Sequence, residues 1–226
     1  MILGKIRKRI VLQLGKELHR LNKSIAHVTL PNFGNEPQNV KIDLPRRIIN
    51  PERIFLGNNV SFGPGSFINA MTHYPTRGMQ HPNKDQLLQR FDSKIIIGSN
   101  VTSTADLQIA AQSEIIIEDD VMFASNIHIN DAFHGFETAN EPYKYQKIFR
   151  IDPIRIGWGC WIGQNVVILS GVTIGQLSII GANSVVTRSV PARCIALGTP
   201  AKVVRKWDEH THKWISVAGS HGRDTT

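Results

Sequence analysis

The chain has 226 residues, 41% of them hydrophobic, and a formal net charge of +8. That length allows one domain or one repeat array with extensions, and the apolar share suits a chain that buries a core. No run of eighteen apolar residues is present to span a bilayer, and Cys160 and Cys194 make neither a disulfide framework nor a CxxC metal or redox motif.

The first segment, MILGKIRKRIVLQLGKELHRLNK, gathers much of the excess charge in Lys5, Arg7, Lys8, Arg9, Lys16, Arg20 and Lys23. Its scattered charges, short apolar region and missing small-residue cleavage site argue against a signal peptide, so the expected location is cytoplasmic. Ile6, Ile10, Leu14, Leu18 and Leu21 recur at spacings of four and three, which predicts a basic amphipathic helix. Two readings stand open for it. One is peripheral attachment to the inner face of an anionic membrane; the other is a brace for the rest of the chain, with its charges solvated. Nucleic acid is not an expected partner, because neither zinc-finger spacing nor an RNP-like aromatic strand accompanies the cations.

Further along, a beat of six begins. LGNNVS at Leu56, IGSNVT at Ile97, IEDDVM at Ile117 and FASNIH at Phe123 are weak copies of one unit. Two excursions interrupt it: MTHYPTRGMQHPNKDQLLQRF over 71–91, and a stretch that starts with NDAFHGF at Asn130 and ends near Pro153. Long insertions in a repeat array sit on one face and often carry function. From Ile156 the beat becomes regular: IGWGCW, IGQNVV, ILSGVT, IGQLSI, IGANSV, VTRSVP. Position one is Ile or Val throughout, and position five is small or β-branched: Cys160, Val166, Val172, Ser178, Ser184, Val190. A helix needs apolar spacings of three and four, and a lone strand needs alternation; a sustained period of six is the signature of a parallel β-helix. Each hexad supplies a short flat strand and a corner, and three hexads close one triangular coil. Aliphatic first positions then stack inside the prism, beside the smaller fifth positions.

The block GCWIGQNVVILSGVTIGQLSIIGANSVVTRSVPARCIALGTPAKVVRK resembles the C-terminal half of hexapeptide-repeat acyltransferases, most of all the sugar O-acetyltransferases of the galactoside and maltose acetyltransferase type. The likeness covers roughly 95–206 well and 50–70 loosely. It implies a mainly β fold, a left-handed parallel β-helix in a homotrimer. The handedness comes from the resemblance alone, since it runs against the general right-handed preference. The expected organisation is a basic helix and linker over 1–45, the β-helix over 46–206 with loop insertions near 71–93 and 130–155, and a C-terminal helical tail over 207–226.

The resemblance also implies an activity, acetyl transfer from acetyl-CoA to a saccharide hydroxyl, with no metal. Relatives carry a catalytic histidine on a projecting loop, which matches His134; the second histidine that many carry two residues earlier is Ala132 here. An alcohol is a poor nucleophile, and imidazole is suited to take its proton as attack begins. Asp131 or Glu137 is a candidate to orient the ring, Asp131 being the better match, and a capping role for Asp131 stands equally open. Asn126 and Asn130 flank the loop as candidates for the acceptor sugar, or as corner residues of the coil. Trp161, Ala182 and Thr187 match positions along the pantetheine arm, and Lys202 and Arg205 are placed to meet the CoA phosphates. A metal-dependent hydratase shares the scaffold; His73, His81, His128 and His134 would have to converge for it.

Overall fold

The computed structural model describes residues 2–217, with side chains from Arg7 onward. A helix spans Ile2–Val28, and strands follow from Lys41 to Ser216. Between them the chain winds as a left-handed parallel β-helix whose cross-section is a triangle. One face stacks Ile54–Leu56, Lys94–Ile97, Glu114–Ile117, Ile154–Ile156 and Thr173–Ile174. The long strands Thr102–Ala111 and Met122–Asn130 bend around a corner and serve the other two faces. On one of these, Met122 stacks on Trp161, Trp161 on Ile179, and Ile179 on Ile195; on the other, His128 stacks on Val167 and Val167 on Val185.

The hexad explains the core. Ile156, Ile162, Ile168, Ile174, Ile180 and Val186 are all at 0% exposure, and the fifth positions from Cys160 to Val190 are buried beside them. Each fully buried aliphatic contributes roughly 1.5–3 kcal/mol, so stability is spread along the axis and not held in one cluster. Burial also disarms the thiols. It pushes Cys160 up to about 11 and raises Cys194 as well. Both are therefore expected to resist alkylation by iodoacetamide at mildly alkaline pH until denaturant opens the coil, which mass spectrometry of the labelled chain would read.

Corners are held by ladders of side-chain amides. Asn39, Asn59, Asn100 and Asp120 all take left-handed φ angles of 56–60° and are joined in sequence by bonds of 2.9, 3.1 and 2.9 Å. Asparagine and aspartate tolerate that conformation because their short polar groups bond locally. A second ladder, Asn126–Asn165–Asn183, has links of 3.0 and 2.8 Å.

Two boundaries differ from the sequence reading. Strands of the prism start at Lys41–Ile42, which pairs with Ser61–Phe62, so the coil reaches into the segment read as linker. Ile42, Ile48 and Ile54 carry the period of six there, masked by the polar and Pro-containing residues between them. The tail is not helical over its described part. Ala201–Asp208 turns back antiparallel on Cys194–Gly198, and Lys213–Ser216 adds a further antiparallel strand. Ala201–Asp208 is thus paired on both sides, and Trp207 and Trp214 meet edge to face with ring centroids 5.5 Å apart. Residues 218–226 of that tail lie outside the described residues.

Candidate active site

The second insertion leaves the coil at Asp131 and returns at Asp152, and the two ends are joined: Asp152 N–H donates to the Asp131 carbonyl at 3.0 Å. Ser170 Oγ, from the next coil, donates to the same carbonyl at 2.9 Å. The Asp131 side chain is fully buried, and its two oxygens accept the backbone N–H groups of Gln112 and Ser113, both at 2.7 Å. These bonds fit the capping alternative for Asp131. A short carboxylate at the root of the loop reaches the amides left open where the previous coil ends, and each of its oxygens accepts one of them. Burial pushes its carboxyl above the ordinary value, and the amide bonds oppose that shift. Glu137, the other candidate orienter, is exposed and lines a separate cleft.

Beyond this root the insertion forms a hairpin, Phe133–His134 against Ile148–Phe149. Gly135 allows the close return: a Cβ there would lie 2.4 Å from the Lys147 carbonyl oxygen. The His134 ring is exposed at the mouth of an 80 Å³ cleft lined by Met71, Tyr74, Thr76, Met79, Gln112, Asn130, Ala132, Phe133 and Ile148. Tyr74 meets it edge-on, with ring centroids 5.4 Å apart.

Much of that lining comes from the first insertion, to which sequence reasoning gave no role. Gln89 clamps the hairpin: its Nε2 donates to the Ile148 carbonyl at 3.0 Å and its Oε1 accepts the Ile148 N–H at 2.7 Å. Gln86 Nε2 donates to the Tyr145 carbonyl at 2.8 Å, and the Tyr74 hydroxyl to that of Lys144. Tyr74, Ala132 and Ile148 make a small second core with Met79, Phe91 and Ile151 packed on it. A histidine in place of Ala132 would have to enter that core, which accounts for alanine there. Tyr74 also lines a 270 Å³ cleft between the two insertions, together with Lys84, Glu137, Glu141 and Gln146.

Gln112 is a further residue that the sequence did not single out. It lines the His134 cleft but is buried, its Nε2 reaches Met71 Sδ at 3.6 Å, and its Oε1 is enclosed without a partner. A buried acceptor without a donor costs about 1–3 kcal/mol. Nothing in the repeat pattern marks it, since it sits where the hexads are irregular.

Of the two asparagines, Asn130 lines the cleft and accepts the Ala132 N–H at 3.3 Å. Asn126 is spent in the corner ladder, with φ 59°. Trp161 is 47% exposed, in the outward row Met122, Trp161, Ile179, Ile195, and Arg205 pairs with Ile195 to continue it. Lys202 lies on the same strand as Arg205, opposite Leu197. Ala182 sits at the Asn183 corner, where the backbone of Gly163 packs against it. Thr187 follows Val186 on the face that carries Asn130, one coil beyond Leu169. The structure thus gathers Asn130 with His134 and strings the remaining candidates around the neighbouring corner and face. Among the described residues no three His, Cys, Asp or Glu side chains group as metal ligands. His81 stacks on Tyr145, and His128 stays in the coil wall.

Comparison with known proteins agrees with this architecture. Residues 153–188 match the family model "Bacterial transferase hexapeptide (six repeats)". Galactoside O-acetyltransferase of Escherichia coli (strain K12) is 36% identical over 120 residues, 51% of this chain and 56% of that one. WbbJ of the same organism, whose name assigns it provisionally to lipopolysaccharide biosynthesis as an O-acetyl transferase, is 32% identical over 126 residues, 53% of this chain and 64% of that one. The matches thus span less than two thirds of either relative. Among solved structures, a point mutant of AntD, an N-acyltransferase from Bacillus cereus, in complex with dTDP and coenzyme A, superposes with a TM-score of 0.62. It is 19% identical and covers 83% of this chain and 90% of its own, a likeness of fold. The chain resembles the hexapeptide-repeat acyltransferases.

Proposed function

We propose that the chain transfers an acetyl group from acetyl-CoA to a saccharide hydroxyl, with His134 as general base, in a homotrimer that serves surface polysaccharide biosynthesis. The observation that carries the reading is the cleft itself: an exposed imidazole in one cleft with Asn130, Tyr74 and Gln112, built where the coil interrupts itself. The names of the E. coli relatives support an O-acetyl product and, through WbbJ, a polysaccharide context.

In the reaction, a ring nitrogen of His134 takes the proton of the acceptor hydroxyl as its oxygen attacks the thioester carbonyl carbon. The C–S bond then breaks, CoA leaves as the thiolate, and the imidazolium returns the proton to sulfur. Asn130 supplies a polar group to fix the sugar, and Tyr74 gives an apolar edge beside the ring. The row Met122, Trp161, Ile179, Ile195 suits the extended apolar arm of the donor, and Lys202 and Arg205 at its end suit the phosphates.

Incubation with acetyl-CoA and a panel of free, nucleotide-linked and lipid-linked saccharides, with released thiol as readout, tests the proposal. Acceptor-dependent thiol release is the expected result. Absence of both release and CoA binding across the panel would instead mark the coil as a non-catalytic binding module.

A further inference from the structure

The helix Ile2–Val28 contributes little to the body it precedes. Ala26 is its buried residue among those with described side chains, and the brace is confined to its C-terminal end, where Arg46 Nη2 bonds Thr29 Oγ1 at 2.9 Å. Away from that seam runs an apolar stripe. At 100° per residue, Val11, Leu14, Leu18, Leu21, Ile25 and Val28 fall within an arc of about 100°, centred about 110° around the helix from Ala26. Exposures of 57% at Leu14, 65% at Leu18 and 55% at Leu21 show that the body leaves the stripe uncovered.

Charge decides what covers it. Between Arg7 and Val28 there are six Lys or Arg residues and one acid, Glu17. Lys16 and Arg20 lie on the polar face, Lys23 lies beside the seam in a groove with Asp43 and Leu44, and Arg7 lies at the end of the stripe. The three-and-four spacing also suits a coil of helices from several copies. The positions flanking the seam, however, offer no facing opposite charges, and packing copies together would crowd their cations. An anionic surface meets both features at once: the stripe enters the boundary of headgroups and acyl chains while the cations stay at headgroup level.

We propose that this helix docks the protein on anionic phospholipid, lying in the plane of the membrane surface. No helix of the described residues is long and apolar enough to cross a bilayer, so the attachment is peripheral. The test uses the full chain and flotation with two kinds of vesicle, phosphatidylcholine alone and an equal mixture with phosphatidylglycerol. Binding to the mixed vesicles, weakened by salt and at least about tenfold lower on neutral ones, is the expected result. Lys16→Glu with Arg20→Glu is expected to lower binding by a similar factor while keeping the helix. Leu14→Glu with Leu18→Glu is expected to abolish it. Equal binding to both vesicles, or none, would overturn the proposal. So would a drop in oligomeric mass on Leu14→Glu with Leu18→Glu without any vesicle binding by the unaltered chain, which would assign the stripe to other copies. Flotation needs no turnover, so failure here and failure of the acetyl-transfer reading are separately visible.

Discussion

Replacing His134 with alanine is expected to lower acetyl transfer by about two to four orders of magnitude, the usual yield of a positioned general base. The exposed ring makes few packing contacts, chiefly the edge contact to Tyr74, so the loss of stability should stay below about 1 kcal/mol. The hairpin does not depend on the imidazole: its register comes from backbone pairing of Phe133 with Phe149 and from the Gln89 clamp on Ile148. The deficit should therefore fall on kcat, with KM for acetyl-CoA little changed, because the donor row around Trp161 lies on another face. His134→Gln keeps the size and polarity of the group without its basicity, and should be nearly as impaired. Steady-state rates of thiol release on both variants, with circular dichroism to confirm the coil, provide the measurement. Turnover within a few-fold of the unaltered chain would remove His134 from the mechanism.

The parts of this molecule that repeat were legible, because a coil of the prism is local. An aliphatic residue every sixth position needs no distant partner to define its place, and Ile156 through Val186 are all buried as the pattern requires. The location of His134 on a projecting loop followed from the same regularity, as the point where it stops. What stayed hidden depends on contacts between segments far apart in the chain. Gln89 grips Ile148 across 59 positions, and Tyr74 packs on His134 and Ala132 from the other insertion. Neither insertion has a period from which to read such a meeting. Gln112 acquires its meaning only when the cleft is built around it, and Asn126 loses its candidacy once Asn165 is seen stacked on it. The tail turned from an expected helix to antiparallel strands for a similar reason: Cys194–Gly198 offers a pairing partner that single-segment reasoning does not see.

Asp131→Ala is expected to be the most damaging single change to stability near the site. The carboxylate joins the loop root to two buried amides of the preceding coil, while its own carbonyl receives Asp152 and Ser170 from the returning chain. Alanine orphans both amides at about 1–3 kcal/mol each, and a loss of that size lowers the melting temperature of a domain this large by about 4–24 °C. Asp131→Asn should fall between, since its oxygen keeps one amide while its NH₂ faces the other donor. The dependence on pH follows from the raised folded-state pKa. The folded chain holds the proton more tightly than the unfolded one, so this group's contribution is fullest below the ordinary carboxylate range. It declines as pH climbs through the window between the unfolded and folded values. The asparagine variant has no such proton, so the gap in melting temperature should narrow from about pH 4 upward, without closing while the carboxylate still accepts two amides. Turnover separates this role from a catalytic one. Well below its melting temperature, Asp131→Asn should retain most of its activity, because the carboxylate bonds backbone and not the imidazole. If it instead lost activity to the level of His134→Ala with an unchanged melting temperature, Asp131 would be acting through the ring, and its assignment as the fastening of the loop root would be wrong.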